Sequence, residues 1–128
     1  NSEFGRNKPF TLFIDLDGTL VKHQHAISLV HTSEVKQLKG VREKLDEWDS
    51  IGHKIIIVTA RKESERRMTI KQLENLAIPY DLLIMGVTSG PRVLINDKIK
   101  FNAFDRAQSV NIITDTGFDS VNWDEYGL

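Results

Sequence analysis

Apolar residues along this chain fall into two rhythms. Phe10-Thr11-Leu12-Phe13-Ile14 is almost continuously apolar and stops abruptly at Asp15. A short unbroken run of this kind predicts a strand buried on both faces, as in a parallel sheet. Lys54-Ile55-Ile56-Ile57-Val58-Thr59 repeats the pattern with β-branched side chains, which suit a strand. Between the two, Val41, Leu45 and Trp48 recur at helical spacing and Gly52 follows as a stop. Ile70, Leu73, Leu76 and Ala77 predict a second amphipathic helix. Glu63 and Glu65 sit in its first turn, where the helix dipole favours negative charge, and Pro79 follows its end. Three further apolar runs, at 82–85, 93–96 and 110–114, predict short strands, with Gly86, Gly90 and Pro91 as breaks between the first two.

Strands alternating with helices imply βαβ crossovers. The expected fold is α/β, a Rossmann-like three-layer sandwich with a mainly parallel sheet. Sheets of this type bind ligands at the carboxyl ends of their strands, and here those ends carry Asp15, Thr59 and Asp97. Residues 21–38 have mixed polarity and no period, which predicts a loop or small hairpin flap over the site. Residues 1–8 fit no element and read as a cloning remnant, leaving 9–128 as one domain.

Composition narrows the partners. Forty per cent hydrophobic content in 128 residues suits a single core. Seventeen basic against eighteen acidic side chains give a net charge of −1, which speaks against a non-specific nucleic-acid binder. The absence of cysteine removes disulfides and thiolate chemistry. The longest apolar run is far too short for a membrane span, and no signal sequence opens the chain, so a cytoplasmic location is the default expectation.

The chemistry concentrates in Asp15-Leu16-Asp17-Gly18-Thr19-Leu20. Two carboxylates two residues apart leave a buried strand and bend towards one point, with Gly18 permitting the turn. One could attack phosphorus and the other could move a proton. A hard cation such as Mg²⁺ also favours one or two carboxylates with water and phosphate oxygens.

This stretch resembles the first motif of the haloacid dehalogenase (HAD) superfamily, D-x-D-G-T-[LV], and the resemblance extends over roughly residues 10–114. It implies a Mg²⁺-dependent phosphatase in which Asp15 is the nucleophile and Asp17 the general acid/base. Thr59 matches the second motif, whose hydroxyl binds phosphate. Asp97 matches the acid of the fourth motif, so that Asp15, Asp17 (through its carbonyl) and Asp97 would be the metal set. Asn96 before Asp97 departs from the usual Gly-Asp or Asp-Asp, and leaves its role open. For the third-motif cation Arg92 is the first choice, with Lys98 and Lys71 as rivals. Arg61, two past Thr59, is read either as a substrate contact or as a helix-entry residue. His23, His25 and His31 lack metal-ligand spacing and read as exposed loop residues. Trp48 reads as helix core. Trp123 and Tyr126 lie in an acidic tail that either docks or stays loose.

The intervals between motifs leave no room for the lid domain common in the superfamily, so a HAD-like fold with no cap domain is expected. The implied activity is phosphomonoester hydrolysis through an aspartyl-phosphate, on a small phosphorylated substrate such as a sugar phosphate. Transfer to an acceptor other than water, a macromolecular phosphoester, and a non-catalytic HAD-like binding module are the alternatives. A homo-oligomer would be one way to cover an open site.

Overall fold

In the computed structural model, which describes residues 8–23, 34–101 and 103–128, the apolar runs nearest the amino terminus form a parallel sheet. Its strands are β1 (Thr11–Asp15), β2 (Lys54–Val58) and β3 (Leu82–Ile84), in spatial order β1-β2-β3. Helix α1 (Val41–Ile51) connects β1 to β2, and α2 (Arg66–Asn75), entered through a 3₁₀ turn at Glu63–Glu65, connects β2 to β3. A last 3₁₀ turn spans Trp123–Tyr126. Residues 1–7 of the supposed remnant, and most of the flap with His25 and His31, lie outside the described residues. At the flap's base an antiparallel bridge pairs Val21 with Gln37, and Lys22 donates its N–H to the carbonyl of Lys36 at 2.8 Å.

Register decides what is buried. Leu12 aligns with Ile55, and Ile14 with Ile57, which aligns in turn with Leu83. Side chains in register on parallel strands share a face. This one carries the core, joined by Val41, Leu45 and Trp48 of α1 and Leu73 of α2. The opposite face presents Phe13 and Leu82, both exposed, on either side of Ile56. The α/β class and parallel sheet are as expected; the described residues build no second helical layer over that face.

Polar contacts tie the elements together. Arg42 on α1 donates to the carbonyls of Leu76 and Ala77, groups that the end of α2 leaves unpaired. Arg66, bonded to Glu63, also donates to the carbonyl of Leu83 at 3.2 Å, joining α2 to β3. Its hydrogen bonds hold the Glu63 carboxyl below the usual range. The backbone N–H of Phe10 donates to Nδ1 of His53 at 2.9 Å, and the two rings stack with centroids 5.2 Å apart. Burial pushes His53 below its ordinary value, against an opposing pull from Glu47.

The acidic tail docks. Trp123 meets Trp48 edge-on at 5.1 Å and Phe118 at 5.0 Å, while its indole N–H donates to the carbonyl of Phe118 at 3.0 Å. Gly117 allows this approach: with φ 81°, any Cβ there would lie 2.4 Å from the carbonyl oxygen of Lys39.

Two predicted strands do not form. Residues 93–96 and 110–114 take part in no ladder, and Val93, Leu94 and Ile95 are exposed. A short apolar run becomes a strand only where a neighbouring edge pairs with it. Among the described residues the sheet's two edges are β1 and β3.

Candidate active site

Asp15 pairs in register with Val58, so the carboxyl end of β1 lies beside the end of β2, where Thr59 follows. Beyond Asp15 the chain turns on Leu16, whose carbonyl accepts the N–H groups of Thr19, Leu20 and Val21. Gly18 makes the turn possible with φ 85°, and a Cβ there would also press on Cγ2 of Thr114 at 3.0 Å. The turn is held from outside by Asp115. Its N–H donates to the carbonyl of Gly18 at 2.9 Å, and its Oδ1 accepts the N–H of His23 at 2.8 Å.

The two carboxylates are treated differently. Asp15 is about one-third exposed. Its Oδ2 accepts the hydroxyl of Thr19 at 3.1 Å, and its Oδ1 lies 3.4 Å from Nη2 of Arg92. Arg92 is therefore the third-motif candidate that the structure places at Asp15. Lys98 instead pairs with Asp105 at 3.0 Å, and Lys71 is exposed on α2. Asp17 is gripped by Arg61 at both oxygens, Nε to Oδ2 at 2.9 Å and Nη2 to Oδ1 at 2.7 Å. Nη1 of Arg61 donates to Thr69 at 3.0 Å and Gln72 at 2.6 Å, two buried residues of α2. The backbone N–H of Arg61 donates to the hydroxyl oxygen of Thr59 at 3.1 Å. Thr59 is buried, and the bond it accepts leaves its own proton to donate.

Arg61 is thus turned inward, its side chain 2% exposed. Four of its guanidinium bonds go to Asp17, Thr69 and Gln72, a placement that neither of its two readings named. Asp97 also departs from expectation. Both its oxygens lie 3.3 Å from Nη1 of Arg106, and Asn96 donates to its Oδ1 at 3.2 Å. The metal set of Asp15, Asp17 and Asp97 is not gathered, and among the described residues no three His, Cys, Asp or Glu groups could hold a metal ion. Residues 93–96, expected as the strand leading to Asp97, join no ladder. A smaller donor set does fit Mg²⁺, which needs only one or two carboxylates besides water and phosphate oxygens. Asp15, whose carboxylate is partly exposed, is one residue of the site that could hold such an ion.

Thr69, Gln72 and Asp115 are site-supporting residues that sequence reasoning passed over. Thr69 and Gln72 each directly precede an apolar stripe residue, Ile70 and Leu73. A polar pair beside such a stripe is the signal that could have found them. Asp115 carried no comparable signal, because its partners Gly18 and His23 are remote in sequence.

Comparison with known proteins agrees with this geometry. The sequence pattern of the haloacid dehalogenase-like hydrolases matches residues 12–81, more than half of the chain. The chain belongs to that family. Two solved structures of a Pnkp1/Rnl/Hen1 complex, one described as an RNA repair complex, contain a similar chain. They match at 28% and 27% identity with TM-scores of 0.55 and 0.56, over 66% and 68% of this chain. This chain spans only 28% and 31% of those chains. A structure from Vibrio cholerae shares the fold at 23% identity and a TM-score of 0.51, over 70% of this chain and 81% of its own. No curated protein matches the chain. No helix among the described residues is long and apolar enough to cross a membrane.

Proposed function

We propose that the chain is a phosphomonoester hydrolase in which Asp15 is the nucleophile and Asp17 the proton-transfer group. The observation that carries this reading is the contrast at the turn. Asp15 is accessible at a strand end beside Arg92, while Asp17, two residues on, is fixed by a buried arginine.

An oxygen of Asp15 attacks phosphorus, and the bond from phosphorus to the leaving alkoxide breaks as Asp17 supplies its proton. Water then attacks the aspartyl-phosphate and gives a proton back to Asp17, which releases inorganic phosphate and restores Asp15. Arg92 offsets phosphoryl charge, and the Thr59 hydroxyl donates to a phosphoryl oxygen. Mg²⁺, held by Asp15 and the Asp17 carbonyl, would supply further charge stabilisation when bound.

A small phosphorylated metabolite is the proposed substrate, in keeping with the balanced charge. Likeness to a chain of an RNA repair complex favours a second reading, a terminal phosphate on a nucleic acid. Turnover of p-nitrophenyl phosphate, followed by sugar phosphates and an oligonucleotide with a terminal phosphate, tests both. Hydrolysis by the wild type and its loss in Asp15→Asn is the expected result; equal activity of the two proteins would refute the assignment.

A further inference from the structure

Arg61 spends a buried charge on a group at the edge of the site. Its guanidinium is 2% exposed, whereas the carboxylate of Asp17 is 20% exposed, so the ion pair is closed at its arginine end and open at its aspartate end. As a device for stability alone this is poor economy, since a buried ion pair costs about as much in desolvation as it returns. As a device for orientation it is well made. A carboxylate beside a glycine turn has two rotatable bonds and would otherwise sample several directions. Two N–H groups, one on each oxygen, fix both its direction and its plane. Arg61 cannot drift either, because Thr69 and Gln72 hold its other nitrogen from one side of α2 and Thr59 holds its backbone N–H. The grip occupies two of the four lone-pair sites of the carboxylate and leaves two for a substrate or water.

We infer that Arg61, braced by Thr69 and Gln72, is a positioning residue that aims the carboxylate of Asp17 at the leaving-group oxygen and at the attacking water. The inference rests on the hydrolase reading above and adds to it a residue that acts only through Asp17. It also links the second-motif strand to the first-motif carboxylate, because Thr59 and Arg61 are two residues apart and bonded to each other.

The test compares Arg61→Lys, Arg61→Ala, Asp17→Asn and the Asp17→Asn/Arg61→Lys pair on p-nitrophenyl phosphate and on phenyl phosphate, whose leaving group is more basic. Lysine keeps the charge but cannot grip both oxygens and α2 together. With phenyl phosphate, kcat of Arg61→Lys should fall on the order of tenfold to a hundredfold, part of the full worth of a placed proton-transfer group. KM should stay nearly unchanged, and the loss should shrink with p-nitrophenyl phosphate. The pair should be no slower than Asp17→Asn alone, because groups acting as a unit are not additive. Circular dichroism reports whether each variant folds, and Arg61→Lys carries the test if Arg61→Ala does not. Equal losses on both substrates, or losses that multiply in the pair, would overturn the inference while leaving the hydrolase reading standing. A wild type that hydrolyses neither ester would overturn both.

Discussion

Ile55-Ile56-Ile57 and Val93-Leu94-Ile95 are nearly identical in character, and both precede a residue assigned to the site. The first run is 0%, 7% and 0% exposed; the second is 82%, 58% and 91% exposed. The difference lies in the neighbours. Ile55 to Ile57 pair with β1 on one side, and Ile56 and Ile57 pair with β3 on the other, beneath α1 and α2. Val93 to Ile95 have no ladder partner. The same contrast reaches the chemistry. Asp15, the last residue of a packed strand, and Asp17, just beyond it, are oriented by Thr19, Arg92 and Arg61, whereas Asp97 is left in an exposed pair with Arg106. A strand therefore does more than hold the sheet together; it delivers whatever its last residue carries.

The comparison can be broken first on the packed side. Asp15→Asn should lower turnover by at least roughly a thousandfold, the scale of losing a covalent nucleophile, with an unchanged circular dichroism spectrum. Ile57→Ala should cost about 2–5 kcal/mol in urea unfolding, since its side chain is fully enclosed. Ile95→Ala is the matching test on the exposed side, and should change stability by no more than about 0.5 kcal/mol. A cost above about 2 kcal/mol at Ile95 would show that the run packs in solution, and would bring Asp97 with it.

The smallest effect concerns the start of β1. Burial holds His53 below its ordinary value, so the unfolded chain takes up its proton first as pH falls. His53 then contributes stability that is fully present above about pH 6.5 and is lost as pH drops towards its folded value. Urea midpoints at pH 7.5 and pH 5 should differ more for the wild type than for His53→Gln. The same fall in both proteins would remove His53 from the account.

The three strands, both helices and the first motif were legible in the sequence because each is a local pattern. An apolar run ends in Asp15, a β-branched one ends in Thr59, and Val41, Leu45 and Trp48 repeat at helical spacing. The inward turn of Arg61 was not legible, because its meaning depends on Thr69 and Gln72, which reach it only once α2 packs on the sheet. The docking of Trp123 against Trp48 and Phe118 depends likewise on residues remote in sequence. The strand expected at 93–96 failed for the opposite reason. Its local signal is good, but a strand is a relation between two segments, and periodicity describes only one.

The central claim is that Asp15 carries the phosphoryl group during turnover. Acid quenching during hydrolysis of p-nitrophenyl phosphate, followed by mass spectrometry of the peptides, tests it directly. The account predicts one added phosphoryl group on the peptide containing Asp15, and none in Asp15→Asn. A turning-over enzyme whose only phosphorylated peptide lies elsewhere would contradict it.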